Sequence, residues 1–282
     1  MRIGFIGAGN MGGALARGYA ASGAMADDAP DALFVYDSDA GKAAALADAG
    51  APVSAVESLE RLVELCDTLV LCVKPNVMDE VLEALAALNC GAGTVSGESR
   101  DGRLVVSIAA GVSIGHILEK LGAGARVVRV MPNTPAMVGE GMSAMAASES
   151  LLDSDYGAVE KLFEAVGKAV WTPEALMDIV TGISGSSPAY AYLYIEGLVR
   201  AGVAGGLSEE DATVFAAQST LGAAKMVLEN LGKVEPRQLC NNVCSPGGTT
   251  IEAVKVLEAS AFVETVGKAA KASADKSKLM TR

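Results

Sequence analysis

Residues 2–13 read Arg2-Ile3-Gly4-Phe5-Ile6-Gly7-Ala8-Gly9-Asn10-Met11-Gly12-Gly13. A short apolar run enters a glycine cluster, and the cluster opens a stretch rich in Ala and Leu that ends near Ser22-Gly23. That order predicts strand, tight turn, helix. Inside it, Gly7, Gly9 and Gly12 have G-x-G-x-x-G spacing. The spacing alone is a weak signal. Between a strand and a helix it specifies a dinucleotide-binding turn. The first glycine permits the turn, the second lets backbone approach a pyrophosphate, and the third lets helix pack on strand. The phosphates would rest on the free N–H groups at the helix N-terminus.

The same alternation continues outward. Strands are expected at Leu33–Tyr36, Thr68–Val73, Leu104–Ile108, Val127–Met131, Met142–Ala146 and Ala169–Trp171. Helices are expected at Ala40–Ala49, where Gly50 stops the run, at Asp79–Leu88 and at Asp153–Gly167. Short apolar strands alternating with helices imply βαβ units and a mostly parallel sheet. Beyond Thr172-Pro173 the strand signals largely cease. Helical stretches follow at Ala189–Val203, Ser208–Asn230, Thr250–Leu257 and Phe262–Ser277, with Ser208 and Asp211 spaced as a capping pair. The chain is therefore expected to be α/β, a doubly wound Rossmann-like sheet over 1–172 followed by an all-helical domain over 173–282. Asn89–Gly102 is polar and Gly-rich and reads as an irregular surface insertion.

Three further places carry chemistry. Tyr36-Asp37-Ser38 closes the second strand, where an adenosine ribose should lie. Asp37 can accept from a 2′-OH and would repel a 2′-phosphate, so it leans toward NADH over NADPH; Asp37 or Ser38 could equally cap the next helix. Cys72-Val73-Lys74-Pro75 ends another strand at the edge where open α/β sheets bind ligands, with Lys74 either a cofactor contact or a solvated charge. Val243-Cys244-Ser245-Pro246-Gly247-Gly248-Thr249-Thr250 leads into a helix. Its backbone N–H groups and the helix dipole suit an anion such as a carboxylate.

Composition narrows the partners. A net charge of -12 repels a phosphate backbone, so nucleic acid is not expected. Cys66, Cys72, Cys90, Cys240 and Cys244 are odd in number and form no C-x-x-C pair, which suggests neither a disulfide framework nor a metal site. Free thiols fit a reducing cytoplasm. The opening residues lack the basic and long apolar regions of a secretion signal, and no membrane span is expected.

Four segments, in order, resemble the pyrroline-5-carboxylate reductase family: Arg129–Ala144, Thr181–Leu198, Ala217–Met226 and Pro236–Glu258. The resemblance implies a Rossmann domain, a helical dimerisation domain, and an active site between the cofactor and a helical-domain loop, often from a partner subunit. By that resemblance, Ile6, Gly7, Ala8, Gly9, Asn10 and Met11 hold NADPH or NADH, and Asp37 and Ser38 sit at its ribose end. Cys72, Val73, Lys74, Pro75 and Ala110 line the cofactor, and Asn242 approaches it from the helical domain. Ser245, Gly247, Gly248, Thr249 and Thr250 meet the substrate 1-pyrroline-5-carboxylate, with Glu174 nearby. The implied reaction is hydride transfer to an imine carbon, giving L-proline.

A cyclic imine protonates readily near neutral pH, so no strong acid is required. Thr250 is the expected donor to the ring nitrogen, and His116, the single histidine, is expected to be structural. A β-hydroxyacid dehydrogenase shares this two-domain plan but needs a proton acceptor for an alcohol, a lysine in that family's helical domain. No lysine stands between Lys168 and Lys225. A dinucleotide-sensing regulator would not need the anion-binding loop.

Overall fold

The computed structural model describes residues 1–23, 32–48, 50, 52–90 and 102–282. Its first strands and helices are β1 (Arg2–Ile6), α1 (Asn10–Ala21), β2 (Ala32–Tyr36), α2 (Ala40–Ala47), β3 (Val53–Ala55), α3 (Leu59–Leu65), β4 (Thr68–Leu71) and α4 (Met78–Ala87). Next come β5 (Leu104–Ser107), α5 (Ile114–Leu121), β6 (Arg126–Met131), β7 (Gly141–Ala147), α6 (Asp153–Glu164) and β8 (Gly167–Trp171). The eight strands form one sheet in the order β3-β2-β1-β4-β5-β6-β7-β8. All neighbours are parallel except β6 and β7, which pair Val128 with Ala147 and Met131 with Ala144 in antiparallel register.

Chain order reverses between β1 and β4. Strands there are covered on both faces, so they read as unbroken apolar runs rather than alternating ones. Ile3 and Phe5 of β1 face a core with Leu15, Tyr19 and Phe163, while Ile6 joins Leu62, Leu69 and Leu82 on the other face. Each such fully buried side chain contributes roughly 1.5–3 kcal/mol relative to exposure.

The expected strands are all present. β3 was not expected, because three residues give too short a pattern. Gly167 opens β8, opposite Gly141, rather than ending a helix. The expected helix end at Ala49, and most of the 89–102 insertion, lie outside the described residues.

The chain divides into two compact units, 1–185 with 272–282, and 186–271. The second unit therefore starts later than the change of character at residue 172, and the last residues return to the first. The reason is local. Glu174–Leu176, α7 (Met177–Val180) and a π-turn at Thr181–Gly185 are helical but pack in the first unit, where Met177 is buried. Periodicity reports helix, not which core the helix joins.

The second unit contains α8 (Ser187–Ala204), α9 (Glu209–Glu229), α10 (Pro236–Asn242), α11 (Thr249–Ala259) and the beginning of α12 (Phe262–Met280). Ser208 caps α9 as expected, its Oγ accepting from the Asp211 N–H at 3.0 Å. α8 and α9 meet through small residues: a Cβ on Gly202 would stand 2.9 Å from that of Ala212. Larger apolar side chains point outward, with Leu193 68%, Phe215 66% and Val256 70% exposed. Among the described residues, no helix is long and apolar enough to cross a membrane.

Candidate functional site

Gly7 leaves β1 with φ +106°, a left-handed conformation that favours glycine. A Cβ there would come within 2.9 Å of the Cys72 carbonyl oxygen, and one on Gly12 within 2.3 Å of the Gly7 oxygen. The turn is thus pressed against the end of β4 and against α1. Gly9 differs, since a Cβ there would meet nothing within 4 Å. Gly9 is the N-cap of α1, no side chain caps it, and the first turn carries no acidic residue. Gly9 and Asn10 are exposed, so the first turn of α1 presents its uncapped start to solvent, the arrangement that suits a bound pyrophosphate.

Asp37 braces this turn. Its Oδ2 accepts from the Ala8 N–H at 2.8 Å and its Oδ1 from the Asp39 N–H at 2.9 Å. The cap of α2 is Asp39, whose Oδ1 accepts from the Gly41 N–H at 3.0 Å; neither Asp37 nor Ser38 fills that role. Asp37 therefore ties the end of β2 to the glycine turn, and Ser38 is exposed beside it.

The carboxyl ends of β4, β5 and β6 enclose a recess of about 210 Å³. Met11, Cys72, Val73, Lys74, Pro75 and Ala110 line it, together with Ile108, Ala109, Met131 and Pro132. The last four were not singled out from the sequence. Their signal was positional, since each ends or follows a strand at the same sheet edge as Cys72. The walls are mostly apolar, suited to a flat ring with water excluded. Burial pushes the Cys72 thiol well above its ordinary pKa, Cys66 up to about 12 and Cys90 up to about 11. These thiols are protonated at neutral pH and serve as apolar surface rather than nucleophiles.

Glu174 is committed within the first unit. Its Oε1 accepts from the Ile114 N–H at 2.8 Å and from Arg129 Nη1 at 3.0 Å. Arg129 is buried in β6, so the pair fixes the start of α5 to that strand. His116 is likewise structural, its Nε2 2.6 Å from Asp79 Oδ1.

In the second unit, Cys244–Gly248 is a tight loop. The Gly248 N–H donates to the Ser245 carbonyl at 3.0 Å, and Gly247 adopts φ +71°. Gly248 is the N-cap of α11 with no side-chain hydrogen bond, so the N–H groups of Thr249 and Thr250 begin an uncapped helix. Ser245, Thr249 and Thr250 are exposed. Asn242 ends α10 close by in sequence, its Oδ1 accepting from Gln238 Nε2 at 2.7 Å.

A family model described as pyrroline-5-carboxylate reductase dimerisation matches residues 174–280, and one described as NADP oxidoreductase, coenzyme F420-dependent, matches residues 2–111. The pyrroline-5-carboxylate reductase of Escherichia coli (strain K12) is 40% identical over 282 residues, covering 100% of this chain and 98% of that one. The chain belongs to the pyrroline-5-carboxylate reductase family. The reductase of Plasmodium falciparum, solved with NADP bound, is 33% identical with a TM-score of 0.84 over 100% of this chain and 98% of that one. The reductase of Coxiella burnetii is 33% identical with a TM-score of 0.86, covering 99% and 98%. Membership makes this chain an oxidoreductase with an NAD(P)-binding Rossmann domain, and the family's dimerisation segment begins at Glu174, close to where strand signals stop. The two matching models thus divide between the strand-rich and the helical part of the sequence.

Proposed function

We propose that this chain reduces 1-pyrroline-5-carboxylate to L-proline with NADPH or NADH, the last step of proline biosynthesis. The observation that carries the reading is the presence, in one chain of this family, of two uncapped helix starts of different character. α1 begins at a glycine turn where a Cβ on Gly9 would meet nothing within 4 Å, and α11 begins at an exposed, hydroxyl-rich loop suited to a carboxylate.

When bound, the nicotinamide supplies the hydride for the imine carbon. Ile6 to Met11 hold the phosphates through main-chain N–H groups, while Asp37 and Ser38 take the ribose. Cys72 to Pro75 and Ala110 form a mostly apolar wall for the ring, and Asn242 is a further cofactor contact. Ser245, Gly247, Gly248 and Thr249 hold the substrate carboxylate on backbone N–H groups and hydroxyls. The Thr250 hydroxyl donates to the lone pair of the neutral imine nitrogen, or accepts from the N–H once that nitrogen is protonated, and so orients the ring. An iminium is already electrophilic, so the protein's task is mainly positioning. Glu174 supports the site through Arg129. The first unit, 1–185 with 272–282, serves the dinucleotide; residues 186–271 serve substrate and self-association, as a dimer or a larger ring, in the cytoplasm.

Steady-state oxidation of each nicotinamide cofactor with pyrroline-5-carboxylate tests the reading. Turnover with proline as product is expected; cofactor binding without turnover would overturn it.

A further inference from the structure

Two of the loops that wall the recess are fastened from outside it by Arg282. Its main chain is bonded on both sides of Val112: the Arg282 N–H donates to the Gly111 carbonyl, and the Ser113 N–H donates to the Arg282 carbonyl, each at 3.0 Å. Its guanidinium forks. Nη1 donates to Asp79 Oδ2 at 2.7 Å, and Nη2 donates to the Pro75 carbonyl. Asp79 is in turn held by His116, so the fork's carboxylate arm is itself anchored. The helix leading to Arg282 is also tied down, with Ser277 Oγ donating to Asp178 Oδ1 at 2.7 Å.

We propose that Arg282 is a positioning residue for the nicotinamide end of the cofactor. The inference rests on the reductase reading only for the identity of the ring in the recess. Pro75 has no N–H to anchor its loop, and within that loop the Val77 N–H donates to the Lys74 carbonyl at 3.0 Å. The arginine adds a tie from a separate part of the chain. Arg282 thus pins the Pro75 loop with its side chain and the Ala110-Gly111 loop with its backbone. Both loops line the recess, whereas Arg282 itself does not. The planar fork holds the carboxylate and the carbonyl together; a lysine ammonium on a flexible stem does not reproduce that geometry. Among the described residues, no hydrogen bond joins Asp37 or the glycine turn to Arg282.

The test compares the full-length wild type with Arg282→Ala and Arg282→Lys. Fluorescence titration reads the Kd of NADPH and of an ADP-ribose fragment lacking nicotinamide, alongside kcat, the KM values and the melting temperature. Arg282→Ala should weaken NADPH about tenfold, the scale of one charge-assisted hydrogen bond, and lower kcat. Binding of the fragment should be unchanged. Arg282→Lys should fall between wild type and the alanine variant, and it supplies the answer if Arg282→Ala does not fold. Equal weakening of both ligands, or an unchanged Kd for NADPH, would overturn the proposal. A wild type that binds NADPH but does not reduce the imine would overturn the reductase reading while leaving the binding comparison intact.

Discussion

Asp37 and Thr250 carry the two sharpest single-residue consequences. Asp37 braces the Ala8 N–H, and under the proposed reading its negative charge lies where a 2′-phosphate would sit. Asp37→Ser should therefore raise the ratio of kcat/KM for NADPH over that for NADH. Removing one like-charge contact corresponds to about tenfold, and an unchanged ratio would take Asp37 out of cofactor choice. Thr250 stands at the first turn of α11, where its hydroxyl is exposed. Thr250→Ala should lower kcat by about 10²-fold, as loss of a preorganised donor does, with the Kd of NADPH unchanged. Unaltered turnover would remove Thr250 from the mechanism.

At the scale of elements, α1 depends on its close approach to the glycine turn. Gly12→Ala puts a methyl 2.3 Å from the Gly7 oxygen, so α1 must move off β1. Dinucleotide binding should fall by more than about tenfold, at 1.4 kcal/mol per decade, and calorimetric titration reads it. A second element-level consequence concerns the clamp between α4 and α5. The hydrogen bond from His116, then the Arg282 charge, hold the Asp79 carboxyl below its usual range, against some opposing desolvation. A depressed carboxylate stabilises the fold above its unfolded pKa, and the contribution is lost as pH falls through the folded one. The melting temperature of Asp79→Asn should therefore lie below wild type at neutral pH, and the gap should close below about pH 4. A gap that persists in acid would contradict the clamp.

These elements also show what the sequence could reveal. The β1 turn was legible because its glycines answer to backbone geometry that sits within a dozen residues. The start of α11 was legible for the same reason. The clasp of Arg282 was not, because it joins positions 203 and 207 residues apart and leaves no local pattern. Nor was the membership of residues 174–185 in the first unit, since packing partners rather than periodicity decide it. Ile108 and Met131 line the recess only because parallel strands bring their ends to one edge.

For the whole molecule, the helical unit exposes side chains that a soluble monomer normally buries. Phe215 and Val214 stand together on α9, 66% and 61% exposed. A large apolar surface of this kind marks an interface, and the family's dimerisation segment covers it. Phe215→Glu should shift the assembly toward smaller species in sedimentation experiments, and an unchanged mass would place the interface elsewhere. The second consequence at this scale is the reaction itself. One chain carries a glycine turn before α1 in its first unit and an uncapped loop before α11 in its second, and the proposal requires both to act on one pair of ligands. Stopped-flow mixing of the enzyme–NADPH complex with pyrroline-5-carboxylate tests that most directly. The prediction is single-turnover oxidation of the cofactor with stoichiometric proline, abolished in step by Gly12→Ala and slowed by Thr250→Ala. A complex that binds NADPH yet leaves it unoxidised when the imine is added would contradict it.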